Sequence, residues 1–303
     1  MNANPLVAVI TKNRTNPAYV GARLGADRVL LANALSSVHF VPENPDDIVE
    51  QCGLVRQAVK LRPIAMVLAP AHATKMKDAL EEVHAADIPL FCIVSEPEPT
   101  SAITFIGSDD QSLARGMAIR LARHLGERGN IVIINGHPDS ATSAPRAAGF
   151  REGLAAFPDI VVRGERRGDY QRDRAAEAFE ELVLGEGVPD GVLSANDFMA
   201  CGVWDVLQAR DLTSIIVSAN ATPEGVLMIK EGRILASAAF DAMSMAGLAA
   251  EAAVRHLRGE VVPKSILLPA TLVDQDNLEY WNRPYEGRSM YSWDDAVARY
   301  VVA

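Results

Sequence analysis

Short apolar runs rich in β-branched residues alternate along this chain with stretches whose apolar positions recur at helical spacing. The runs are Leu6–Ile10, Val38–Val41, Ala65–Leu68, Pro89–Val94, Ile103–Ile106, Ile131–Ile134, Ile160–Val162, Gly191–Leu193, Ile215–Val217 and Leu235–Ala239. Between them, residues 110–129 set Leu113, Met117, Leu121 and Leu125 at i, i+4 spacing, with Asp110 expected as the N-cap and Gly126 or Gly129 as the stop. Alternation of this kind predicts an α/β fold with doubly wound parallel sheets. The number of runs exceeds what one compact sheet of this length holds, so two similar lobes are expected.

Several runs end in a polar cluster rather than a bland turn. "TKNRTN" follows Ile10, "GSDD" follows Ile106, "NGHPDSATSAPR" follows Ile134, "SANDF" follows Leu193, "SANATPEG" follows Val217, and "FD" follows Ala239. In open α/β sheets, ligands sit outside the carboxyl ends of the strands. Helix capping accounts for some of these residues: Thr222 before Pro223, and Asp197. Capping does not account for the amides Asn196 and Asn220 in matching loops, together with Asn16, Arg146 and aromatic rings at the same edge. Amides both donate and accept, arginine is a fixed fork of donors, and tyrosine offers a flat apolar face. That set suits a ligand covered in hydroxyls.

Composition narrows the alternatives. The chain has 303 residues, 49% hydrophobic and only 6% aromatic, and a formal charge of −10 that argues against a nucleic-acid partner. Its longest basic stretch, residues 163–174, is interleaved with acids and reads as a solvated face. Cys52, Cys92 and Cys201 are too scattered for a disulfide framework or a zinc site, and Cys92 and Cys201 read as buried thiols. No apolar stretch reaches the ~20 residues of a membrane helix, and no signal peptide is evident. Phosphate-loop, dinucleotide, zinc-protease and nucleophile-elbow motifs are missing, and His72 and His137 have no evident nucleophile beside them. A binding protein without metal or cofactor is therefore expected, rather than an enzyme.

Seven motifs in order carry a family likeness: "TNPAYVGARLGA", "IPLFCIVSE", "FIGSDDQSLARGMA", "SATSAPRAAGF", "LSANDFMACGV", "VSANATPEGVLMIKEGRILAS" and "HLRGEVVP". From about Leu6 to about Asn277 the chain resembles the periplasmic sugar-binding proteins of ABC importers, of the ribose- and galactose-binding type. The resemblance implies two lobes joined by three crossing strands, near Ser108, near Phe240–Asp241 and near Leu268–Asp274, with the ligand cleft between them. It implies a first lobe of residues 1–108 plus 241–270 and a second of 109–240 plus 271–303. It also implies a monomer in the periplasm, its signal peptide removed, that hands a monosaccharide or polyol to a membrane permease. The tail from Tyr280 onward extends beyond the pattern and is expected to pack on a lobe surface.

By the same resemblance, Asn16 bonds sugar hydroxyls, Tyr19 and Tyr170 stack on the ring, Arg146 donates to ligand oxygens and Asn196 is the amide of an Asn-Asp motif. The competing reading of Arg146 is a surface ion pair. Ala18 stands where an aromatic is common. Asn220 replaces an aspartate, and Val94-Ser95-Glu96 replaces an Asp-Arg pair, so the hydroxyl pattern recognised is not that of ribose or galactose. Asp241, beside Phe240, and Glu96 are the carboxylates that compensate. Ser108 completes the expected set, and Lys12 with Arg14 opens a second option, a sugar acid. A lac-repressor-type effector core shares this fold, but lacks here the helix-turn-helix and basic face that operator binding needs.

Overall fold

The computed structural model describes residues 5–99 and 101–302. Two lobes result. The first takes the chain up to Ser108, then Asp241–Pro269 and the tail from Ser289; the second takes Asp109–Phe240 and Ala270–Arg288.

In the first lobe, β1 (Leu6–Ile10), β2 (Ser36–Phe40), β3 (Ala65–Leu68), β4 (Leu90–Ile93) and β5 (Thr104–Ser108) are joined by α1 (Pro17–Ala32), α2 (Ile48–Lys60) and α3 (Lys77–Ala85). The later strands β11 (Ser265–Leu268) and β13 (Val301–Val302) complete a sheet of order β13-β11-β5-β4-β3-β1-β2. All its pairs are parallel except β11 with β13. Alternate side chains of β1, β3 and β4 face opposite ways, and both sets are apolar, as a sheet covered on both faces requires. Ala8, Ile10, Met66, Leu68, Leu90 and Cys92 pack with Val55 and Ala58 of α2 and Leu80 and Val83 of α3. The ring of Phe91, on the other face, meets His256 of α9 (Ala242–Leu257) edge-on at 5.8 Å. Helices α1 and α9 approach so closely that a Cβ at Gly25 would lie 2.1 Å from the carbonyl oxygen of Met243.

The second lobe repeats the plan. Here β6 (Arg128–Asn135), β7 (Asp159–Arg167), β8 (Gly191–Ser194), β9 (Ile215–Ala219) and β10 (Ala236–Ala239) are interleaved with α4 (Asp110–His124), α5 (Ser143–Leu154), α6 (Arg172–Glu186), α7 (Asp197–Ala209) and α8 (Pro223–Lys230). With β12 (Thr271–Val273) antiparallel on β10, the order is β12-β10-β9-β8-β6-β7. Each lobe therefore reverses direction beside its first strand, between β1 and β3 or between β6 and β8. That reversal is the switch point at which an open α/β sheet leaves a crevice.

Two expectations need correction. The tail beyond Arg288 belongs to the first lobe, not the second. There β13 pairs with β11, the short helix α10 (Trp293–Tyr300) buries Ala296, and the backbone N–H of Tyr291 donates to Ser244 Oγ. The chain thus passes from lobe to lobe at a fourth point, Arg288–Ser289, in addition to the three expected. The cap of α4 is also displaced by one residue. Asp109 caps it, its Oδ1 accepting from the N–H of Ser112 at 2.9 Å, and Asp110 is already helical. That backbone bond holds the Asp109 carboxyl below the ordinary carboxylate range.

Candidate functional site

The first lobe gathers its polar groups where β1 ends. Lys12 is buried, with Nζ 3.5 Å from Asp46 Oδ1. Asn13, also buried, donates from Nδ2 to Asp46 Oδ2 at 3.0 Å and accepts at Oδ1 from the N–H of Asn16 at 2.7 Å. Asn16 caps α1 through Oδ1, which accepts from Ala18 N, and Pro17 follows at the first helical position. Tyr19 lies one turn on and is buried at 6% exposure. Arg14 is solvent-exposed and pairs with Glu43 at 2.9 Å. So Lys12 and Arg14, one residue apart from Asn13 on either side, have opposite surroundings.

After β4, Val94 takes a left-handed φ of 69°, and the N–H of Ser95 donates back to the carbonyl of Ile93. Ser95 is buried and its Oγ meets no partner among the described residues. Ser108 ends β5. Asp241 caps α9, accepting from the N–H of Ser244 at 3.0 Å and from its hydroxyl at 2.6 Å.

In the second lobe the centre is Arg146 on α5, which is 2% exposed. Its Nε donates to Asp110 Oδ1 at 2.7 Å, and its Nη1 donates to the carbonyl of Ala195 and, at 3.4 Å, to Asn220 Oδ1. The Phe240 ring lies 5.0 Å from the guanidinium carbon and the Tyr170 ring 6.0 Å. Arg146 is thus an ion pair, but a buried one, with aromatic faces beside it. The Tyr170 hydroxyl is 2.8 Å from Thr142 Oγ1, and its ring lies over Gly136, where a Cβ would come within 2.1 Å of it. Arg146, Tyr170, Asn220 and Phe240 are brought together around one group. Residues 163–174, expected as a solvated face, include this buried tyrosine among exposed arginines that pair with Asp169 and Glu181.

The Asn-Asp pair divides its work differently from expectation. Asn196, not Asp197, caps α7: Asn196 is extended, and its Oδ1 accepts from the N–H of Met199 at 2.8 Å. Asn196 is fully buried, and its Nδ2 has no acceptor among the described residues. Asp197 turns inward. Its Oδ1 accepts from the hydroxyls of Ser218 and Ser237 at 2.5 and 2.6 Å, and its Oδ2 from the N–H and hydroxyl of Thr222 at 2.7 and 2.9 Å. Burial outweighs these bonds and pushes its carboxyl above the ordinary carboxylate range. Thr222 caps α8 with Pro223 after it, as the sequence predicts.

Sequence reasoning missed Asp46, Asp110 and Thr142 as partners of the site residues, and Gly136 as the seat of Tyr170. Each is polar or small and sits in a loop or helix start, which gives no local signal of its distant partner. Among the described residues no three His, Cys, Asp or Glu side chains are grouped to hold a metal ion, and no helix is long and apolar enough to cross a membrane. Cys92 and Cys201 are buried free thiols that burial keeps protonated, and Cys52 is a half-buried one.

The chain is 27% identical over 285 residues to a D-apiose import binding protein of Actinobacillus succinogenes, covering 92% of this chain and 91% of that protein. A solved ABC transporter periplasmic solute binding protein from the same species, with bound D-allose, superposes with a TM-score of 0.86 at 19% identity, covering 91% of this chain and 99% of that one. A twin-arginine translocation pathway signal protein from Burkholderia phytofirmans superposes with a TM-score of 0.90 at 18% identity over 100% of this chain and 99% of its own. These structural likenesses establish the two-lobed fold. The sequence matches the periplasmic binding protein domain over residues 7–260, and the chain belongs to that family.

Proposed function

We propose that this protein is the solute-binding receptor of an ABC importer, a periplasmic monomer that captures an uncharged monosaccharide or polyol and presents it to a membrane permease. The observation that carries the reading is the chemistry at the carboxyl ends of the strands. Two buried donors, Asn196 Nδ2 and Ser95 Oγ, have no acceptor among the described residues, and the buried cations Lys12 and Arg146 are already matched within their own lobes. A buried unsatisfied donor costs about 1–3 kcal/mol, which a ligand oxygen removes. Lys12 faces Asp46 and Arg146 faces Asp110, so a neutral ligand leaves each balance intact. A sugar acid would need a cation that is not already matched in this way. In this reading Lys12, Asn16, Tyr19, Ser108 and Asp241 serve from the first lobe, and Arg146, Tyr170, Asn196, Asn220 and Phe240 from the second. The D-apiose and D-allose of the relatives are the first compounds to try.

A thermal-shift screen over D-apiose, D-allose, other pentoses and hexoses, polyols and sugar acids tests the proposal, with EDTA present throughout. Stabilisation at 100 times Kd is about 2.7 kcal/mol and raises the midpoint by several degrees. At least one neutral sugar or polyol is expected to do so. A response confined to sugar acids, or one abolished by EDTA, would overturn the reading.

Gly136 offers a sharper check on the aromatic face. In Gly136→Ala the new methyl displaces the Tyr170 ring, because the two cannot occupy the same space. Sugar affinity is expected to fall about tenfold, or 1.4 kcal/mol, by calorimetric titration. Unchanged affinity would mean that the ring does not contact the ligand.

A further inference from the structure

The tail segment before Ser289 carries an arginine that the proposed function does not use. Arg288 is 5% exposed, and its guanidinium lies between aromatic rings, 5.6 Å from Trp281 and 5.0 Å from Tyr285. It donates to the carbonyls of Arg283 at 3.0 Å, Trp281 at 2.8 Å and Ala221 at 2.7 Å. Two of those carbonyls belong to its own loop. The third lies 67 residues away, in the turn that leaves β9.

That turn is strained. Asn220 and Ala221 have φ values of 112° and 45°, a region that side chains with a Cβ enter only when their surroundings hold them there. The restraints are few and identifiable. The N–H of Asn220 donates to the carbonyl of Ala238, that of Ala221 to Ser237 Oγ, and that of Thr222 to Asp197 Oδ2. Arg288 supplies the bond to the carbonyl of this turn. Among the described residues the Asn220 side chain itself has only a long 3.4 Å bond from Arg146, so the backbone must fix where its amide points.

We propose that Arg288 is a positioning residue: it clamps the Ala221 carbonyl, holds the Asn220–Ala221 turn in its left-handed form, and so aims the Asn220 amide. The consequence for ligand rests on the sugar-binding reading above; the clamp itself does not. A guanidinium is suited to the task, because one planar fork can serve three carbonyls while its faces pack on rings, which a lysine cannot do.

Backbone amide exchange in the ligand-free protein tests the clamp directly, in Arg288→Lys against wild type. Exchange at Ala221 and Thr222 is expected to quicken at least tenfold relative to Val192 and Leu193 of the neighbouring strand β8. A general loss of stability would quicken all four together, and that result, or no change, would overturn the proposal. The same comparison is made a second time in an Ala221→Gly background. Glycine takes φ of 45° without strain, so there the selective effect of Arg288→Lys is expected to shrink at least threefold. An effect of undiminished size would overturn it as well. With a neutral sugar that raises the wild-type midpoint, Arg288→Lys should weaken affinity about tenfold, and not at all in an Asn220→Ala background. Failure of every sugar to bind would sink the transport reading and leave the exchange result to decide the clamp.

Discussion

Arg146→Ala is expected to lower both the stability of the protein and its grip on a sugar. The guanidinium is buried against the carboxylate of Asp110, itself 8% exposed. Removing one partner of a buried ion pair strands the other, at a cost of about 3–5 kcal/mol. That is far more than the few tenths expected of the surface ion pair that the sequence left open. In the proposed sugar-binding role the ligand loses a charge-assisted donor too, worth about 1.5–3 kcal/mol, or ten- to a hundredfold in Kd. Urea unfolding measures the first effect, and titration at a temperature where the variant is folded measures the second. Arg146→Ala with Asp110→Ala should recover part of the stability, since no stranded charge remains, but none of the affinity. Recovery of both would place Arg146 outside the ligand contacts.

Asp197→Ala should cost about 3 kcal/mol or more while touching no ligand. Four donors converge on this carboxylate, and each buried donor left unpaired costs about 1–3 kcal/mol, though the serine hydroxyls can turn to other acceptors. The N–H of Thr222 cannot turn. The pH dependence has a definite sign. Burial raises the native carboxyl above its unfolded value, so the native state holds its proton to higher pH. The stability that Asp197 contributes is complete below the ordinary carboxylate range and declines as pH rises through the raised native value. The gap between wild type and Asp197→Ala should therefore be widest in acid, narrow on the way up and then level off. A gap that widens with rising pH, or one below about 1 kcal/mol throughout, would contradict this account.

Where a segment is buried on both sides, its structure was plain in the sequence. Leu6–Ile10 and Ala65–Leu68 are strands with the bounds their apolar runs predict, because every position in them except Leu6 is buried. The late strands added at one side of each sheet were not legible. Ser265–Leu268 is half-buried, Thr271–Val273 has three residues, and Val301–Val302 is exposed, so none makes a run that stands out from a loop. The polar loops were legible as the place where a site would lie, but the assignments within a loop were not. Asp109-Asp110 and Asn196-Asp197 each offer two good caps, and a sequence does not say which side chain turns inward. What decides it is a distant partner: Arg146 for Asp110, and the Ser218, Thr222 and Ser237 donors for Asp197. Arg288 sits in a loop with no periodicity, so nothing local marks it.

Helix α9 has a bearing on the order in which the protein is made. Twelve of its residues are buried, and it lies on β3, β4 and β5, strands that leave the ribosome long before it does. Strands β1–β5 therefore wait with one apolar face incompletely covered while the 132 residues of Asp109–Phe240 are synthesised. The second lobe has no such delay: its five parallel strands and the helices between them form one unbroken stretch. The lobe begun first is thus the lobe finished last. During that interval its uncovered strands are the surface on which a nascent chain would aggregate or be held by a chaperone.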